Sequence, residues 1–127
     1  MIVKEKYEYQ IGEEIFQGVI CFDNEIKGSR PGVLVSHQYS GCSKLEERKC
    51  EFLAKAGYFA FAIDLYGKDV RGKTPEESLN LMNQLSEDRT VLAKRINHCL
   101  TLLKDHALVD NNKVAAIGYC FGGRCVL

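Results

Sequence analysis

The stretch Val114-Ala-Ala-Ile-Gly118-Tyr-Cys120-Phe-Gly122 constrains this chain more than any other, because an apolar strand runs straight into a glycine–x–cysteine–x–glycine turn. A side chain held between two glycines, where a buried strand gives way to a helix, is forced onto a sharp turn with room only for small neighbours beneath it. Such a turn lifts the cysteine out of the sheet. It also aims the first N–H groups of the following helix, and the positive end of its dipole, at the sulfur. Both effects favour thiolate over thiol and prepare a place for an oxyanion, which makes Cys120 the candidate nucleophile.

The rest of the chain supplies a setting for that turn. Residues 2–9 alternate charged and apolar side chains and read as an exposed edge strand; residues 14–22 form a second strand between Gly12 and Asp23-Asn24. Val33-Leu-Val-Ser-His37 and Tyr58-Phe-Ala-Phe-Ala-Ile63 are short continuous apolar runs, as expected of strands buried on both faces. Between them Ser43-Lys-Leu-Glu46 is a capping box opening a helix, with Leu45, Leu53 and Ala56 among its apolar positions and Gly57 at its end. Thr74-Pro75-Glu-Glu77 is a second capping box, with proline at the first helical position. Ser86 is expected to cap a third helix, whose Leu92, Ile96, Cys99, Leu100 and Leu103 share one face. Asp110-Asn-Asn-Lys113 reads as a turn into the strand 114–118. The order β-β-β-α-β-α(α)-β-α needs crossovers. It therefore predicts an α/β fold with a mainly parallel sheet and helices on both faces.

At 127 residues the chain is one domain at most. Its 17 basic and 17 acidic residues balance, and no basic stripe points to nucleic acid or an anionic membrane. No apolar run approaches the length of a transmembrane helix. The six cysteines sit largely inside apolar runs, and the N-terminus carries no apolar leader. They read as small hydrophobes in a reducing, cytoplasmic compartment rather than as a disulfide framework. Without a C-x-x-C pair no structural zinc is expected, and the chemistry requires no metal or organic cofactor.

Three motifs together resemble the dienelactone hydrolase family of the α/β-hydrolase superfamily: Pro31-Gly-Val-Leu-Val-Ser-His-Gln-Tyr-Ser-Gly41, Ala56-Gly-Tyr-Phe-Ala-Phe-Ala-Ile-Asp-Leu-Tyr-Gly67 and Ala116-Ile-Gly-Tyr-Cys-Phe-Gly-Gly123. They follow the family's order across nearly the whole chain. The resemblance implies that Cys120 is the nucleophile, with the backbone N–H groups of Phe121 and Tyr39 as the oxyanion-hole donors. It implies a small ester or lactone as substrate and an acyl-enzyme intermediate. The family's loop after the strand 33–37 usually carries glutamate in an H-E-x-x-G pattern; here it reads His37-Gln38-Tyr39-Ser40-Gly41, with an amide in place of the carboxylate. In the superfamily the acid and histidine of the triad follow the nucleophile. The sequence ends at Leu127, so residues 1–127 are expected to be the N-terminal part of a single α/β-hydrolase domain, inactive in turnover by itself. A catalytically silent homologue and a thiol redox protein pairing Cys120 with Cys125 stay open as other classes.

Among further candidates, Gln38, Tyr66 and Arg89 are taken as substrate-binding residues, with Arg71 and Arg95 as other cations able to meet a carboxylate. His37, at the end of a buried strand, is expected to be structural, as is Asp64 capping a turn. His98 and His106 are expected to be solvated. Cys125 reads as packing. Strand 114–118, apolar and free of proline, is an expected site of self-association should it lie at a sheet edge.

Overall fold

The structure is a computed structural model that describes residues 1–118. Five strands and three helices follow one another among these residues as β1 (Ile2–Ile11), β2 (Glu14–Asp23), β3 (Arg30–Ser36), α1 (Lys44–Lys55), β4 (Phe59–Ala62), α2 (Pro75–Glu87), α3 (Arg89–Asp105) and β5 (Val109–Gly118). They build one mixed sheet in the order β1-β2-β4-β3-β5. The first two strands form an antiparallel hairpin, and β2 meets β4 antiparallel as well. The crossover strands β4, β3 and β5 are mutually parallel. Expectation and structure agree on the α/β class, with the parallel pairing confined to that half of the sheet. Among the described residues β1 and β5 are the two edges.

The sequence Phe59-Ala-Phe-Ala62 explains how the layers stack, because successive side chains on a strand face opposite ways. Phe59 and Phe61 join Phe16, Ile20 and Leu34 in one apolar cluster, which Cys99 and Leu103 of α3 and Leu85 of α2 complete. Ala60 and Ala62 face the other way, with Val19, Cys21, Val33 and Val35, against Cys50 and Ala54 of α1. Small residues on that face let α1 lie close to the sheet, whereas the aromatic face carries α2 and α3. Helices thus cover both faces, as expected.

Local signals fare unevenly. The Ser43 capping box forms: its backbone N–H donates to Glu46 Oε1 at 2.9 Å, and its hydroxyl accepts from Leu45 N. The buried stripe of α1 is nevertheless Glu46, Cys50 and Ala54, while Leu45 and Ala56 are exposed. Thr74 accepts from Glu77 N, but the Glu77 carboxylate reaches back to Lys73 N rather than to Thr74. Ser86 lies within α2, and Asp88 caps α3 by accepting from Val91 N. A single residue separates the two helices, so the capping role falls to the last position between them. The Asp110–Lys113 segment belongs to β5, yet the ladder to β3 jumps there from Arg30↔Val109 to Gly32↔Val114. No helix among the described residues is long and apolar enough to cross a membrane.

Candidate active site

The parallel strands deliver three chain segments to one edge of the sheet. Val35 pairs with Ala62, and Ser36 pairs with Gly118, so residues 37–43 and residues 63–72 leave from the same carboxyl end, where β5 also finishes. In open α/β sheets ligands bind at that end.

His37 is the first residue past β3 and is fully buried. The N–H of Leu65 donates to its Nε2 at 3.0 Å. In a neutral ring the proton then resides on Nδ1, which donates to the Gln38 carbonyl at 2.7 Å. Burial, with a smaller push from the Arg71 charge, lowers the pKa of His37 to about 4. A ring engaged in this way holds two loops together and is not poised as a general base. The expected structural role stands.

Asp64 lies two residues past β4 and has no exposed surface. Its Oδ1 accepts from Tyr66 N at 3.0 Å and Gly67 N at 3.1 Å, and its Oδ2 accepts from Gln17 N at 3.0 Å. Burial raises its pKa, and those backbone donors together with Arg71 oppose the rise. The carboxylate therefore shapes the turn that carries Tyr66, as a turn cap should. Arg71 closes the assembly from outside: its Nε donates to the Cys42 carbonyl, and its Nη1 to Gly67 O at 3.0 Å and Val70 O at 2.8 Å. A Cβ on Gly41, at φ +101°, would come within 2.7 Å of Arg71 Cδ. Glycine at 41 is needed both for its backbone angle and for that approach.

Tyr39, a proposed oxyanion donor, is half-buried in the loop after β3. Its carbonyl accepts from the Tyr66 hydroxyl at 2.7 Å. The loop is further tied by Gly41 N to Gln38 O at 3.1 Å and by Gly72 N to Ser40 O at 2.9 Å. Gln38 is half-buried in the same loop. Tyr66 is buried, tilts its ring onto His37 at 4.7 Å between centroids, and lines an open cleft with Leu81, Leu85, Val91 and Arg95. Arg89 lies exposed at the first turn of α3 and is not among the cleft residues. Arg95 is the cation of that cleft, held by Leu65 O at 2.7 Å and Glu14 at 3.1 Å. Cys120, Phe121 and Cys125 lie outside the described residues.

Two histidines depart from expectation. His98 is half-buried with its ring stacked on Tyr9, and His106 is half-buried against Phe59, 4.3 Å between centroids. The aromatic surface of the sheet attracts both, and burial lowers the pKa of His106. Sequence reading also missed Tyr9, whose hydroxyl donates to the Asp64 carbonyl and accepts from Asp64 N at 2.9 Å and from the Cys99 thiol at 3.3 Å. Nothing local marks it, since its partners lie 55 and 90 residues away. The four described cysteines, Cys21, Cys42, Cys50 and Cys99, are free and buried. Burial pushes the thiols of Cys42 and Cys99 up to about 12.

Residues 16–127 match the dienelactone hydrolase family. A Yersinia pestis protein provisionally named as a carboxymethylenebutenolidase is 33% identical over 116 residues, covering 89% of this chain and 42% of its own length. A dienelactone hydrolase-like promiscuous phosphotriesterase from metagenomic libraries is 30% identical, with a TM-score of 0.92 over 98% of this chain and 52% of that structure. A dienelactone hydrolase from Anabaena variabilis, 24% identical, shares the fold with a TM-score of 0.71, covering 98% of this chain and 55% of its own. The chain thus spans about half the length of these relatives.

Proposed function

The chain belongs to the dienelactone hydrolase family, and on that premise we propose that it carries the acylating machinery of a cysteine-dependent hydrolase of small esters or lactones. Residues 1–127 would be the N-terminal part of one α/β-hydrolase domain. The Cys120 thiolate attacks the substrate carbonyl carbon, and the N–H groups of Phe121 and Tyr39 hold the resulting oxyanion. Collapse of the tetrahedral intermediate expels the alkoxide and leaves a thioester, which in a whole hydrolase water would then hydrolyse. Gln38 and Tyr66 would border the substrate, with Arg89 as a more distant cation. The substrate is a small molecule rather than a nucleic acid or membrane, and buried free thiols suit a cytoplasmic setting.

One observation carries this reading: the pairing of Ser36 with Gly118. Tyr39 stands three residues past the first and Cys120 two past the second. On neighbouring strands about 4.8 Å apart, the two backbones reach the end of the sheet side by side.

All three histidines precede Cys120 in this sequence, whereas the superfamily's triad histidine follows the nucleophile. The chain is therefore expected to acylate once without turning over. Mixing it with p-nitrophenyl acetate should release at most one equivalent of p-nitrophenolate and leave an acetyl group on the Cys120 peptide. Release unaffected by Cys120→Ala, or acetyl found on another residue, would refute the proposal. We further infer that β5 is a self-association edge, because among the described residues it pairs on one side only and exposes Ala115 and Ala116.

A further inference from the structure

We infer that His37 is a positioning residue for the oxyanion hole: by donating to the Gln38 carbonyl it orients the Gln38–Tyr39 peptide, and with it the Tyr39 N–H. The inference rests on the reading of Tyr39 as an oxyanion donor. Its geometry is independent of that reading.

The carbonyl of Gln38 and the N–H of Tyr39 belong to one planar peptide unit. The unit is trans, since the described residues contain no cis bond, so the two groups point in opposite directions. The carbonyl is drawn one way by two donors, His37 Nδ1 at 2.7 Å and Gly41 N at 3.1 Å. One donor is a buried ring and the other is the loop's own turn. The N–H must therefore face the other way, away from the imidazole. The peptides that follow are fixed separately, at Tyr39 O by the Tyr66 hydroxyl and at Ser40 O by Gly72 N.

What fixes the imidazole lies in a different loop. Leu65 N donates to Nε2, so the ring must keep its proton on Nδ1. The opposite tautomer would set Nε2–H against Leu65 N–H and a lone pair against the Gln38 carbonyl. Two hydrogen bonds would be lost, with buried groups left unpaired. One backbone N–H in the turn after β4 thus dictates where a backbone N–H in the loop after β3 points. An oxyanion hole needs its donors aimed before charge develops, and removing one donor typically costs about 10²–10³ in rate.

Two near-isosteres separate the ring's two functions. In His37→Asn the amide nitrogen can occupy the Nδ1 position and still donate to Gln38. In His37→Gln the amide reaches the Nε2 position and serves Leu65 N only. Each chain is assayed by two reactions at Cys120: acetylation by p-nitrophenyl acetate, which passes through an oxyanion, and alkylation by iodoacetamide, which does not. The acetylation-to-alkylation ratio should fall by about 10²-fold in His37→Gln and less than about tenfold in His37→Asn. An equal fall in both, no fall in either, or the reverse order overturns the inference. Nitrogen-15 spectra of the imidazole in the unsubstituted chain give a second measure needing no ester. A ring protonated on Nδ1 supports the inference, and one protonated on Nε2 overturns it. A chain that alkylates at Cys120 yet is never acetylated would instead refute the proposed function, while the tautomer would still report on His37.

Discussion

Acidification should reveal the buried imidazole. His37 would titrate near 6.5 in an unfolded chain and at about 4 in the folded one. Because the folded value is the lower one, the unfolded chain binds the proton first. Stability is therefore full above pH 6.5 and drains as pH falls towards 4. At about 1.4 kcal/mol per pKa unit, this residue alone removes about 2 kcal/mol by pH 5 and about 3 kcal/mol by pH 4. Protonation would confront Leu65 N–H with an imidazolium N–H, and the nearby Arg71 charge adds to the penalty. Asp64 and Glu46 act in the opposite sense. Burial raises both, so protonation on acidification favours the folded state. Their effect cancels when the chain is compared with His37→Asn, whose side chain does not titrate. Urea unfolding from pH 7 to pH 4.5 should show the parent losing at least about 2 kcal/mol more than the variant. Equal losses would mean that His37 is not held neutral in the fold, and the reasoning about its tautomer would fall with it.

Three other outcomes are expected. Gly18→Ala should destabilise by at least about 3 kcal/mol in urea, because its Cβ would sit 2.2 Å from the Ala62 carbonyl oxygen, whereas Gly12→Ala, with open space around it, should cost about 1–2 kcal/mol for its positive φ alone. Tyr9→Phe should cost about 1–3 kcal/mol, since it strips a buried hydroxyl from the Asp64 backbone and the Cys99 thiol; a change under about 0.5 kcal/mol would show that water replaces it. Sedimentation velocity at micromolar concentration should show self-association of the chain, reduced by Ala116→Lys, which places a charge on the exposed β5 edge.

How much of this was legible in the sequence depended on the range of each interaction. The capping residues of α1 and α2 lie within four positions of what they bind, and reading them locally located both helices. Continuous apolar runs identified β3 and β4, and the alternation in Phe59-Ala-Phe-Ala62 contained the two-layer core. The stripe of α1 was misjudged because its buried side is the one where Cys50 and Ala54 pack with Ala60 and Ala62, while Leu45 lies on the exposed side. His98 and His106 were expected in water because nothing near them in the chain announces Tyr9 and Phe59. The site divides in the same way. Gln38, Tyr39 and Tyr66 came from motif, and the structure brings Tyr39 and Tyr66 into contact. Arg89 was named where Arg95 lines the cleft, since helix position alone does not reveal which arginine finds a carbonyl and a carboxylate across the sheet edge.

The electrostatic character of the described half of the site follows from these pairings. His37 is neutral. Asp64 has Arg71 and three backbone donors, Lys68 is paired with Glu8 at 2.5 Å, and Gln38 offers an amide where the family's loop usually carries a carboxylate. The cations Arg71 and Lys68 are each answered by a carboxylate, which leaves little of their charge to hold an oxyanion. In the proposed reaction that task falls to peptide dipoles, whose strength is fixed and whose direction is the variable. A loop whose carbonyls are tied at positions 38, 39, 40 and 42 supplies direction. On this argument the ties from His37, Tyr66, Gly72 and Arg71 matter to the chemistry through geometry rather than through charge. Together these ties fix the successive peptides of the loop after β3.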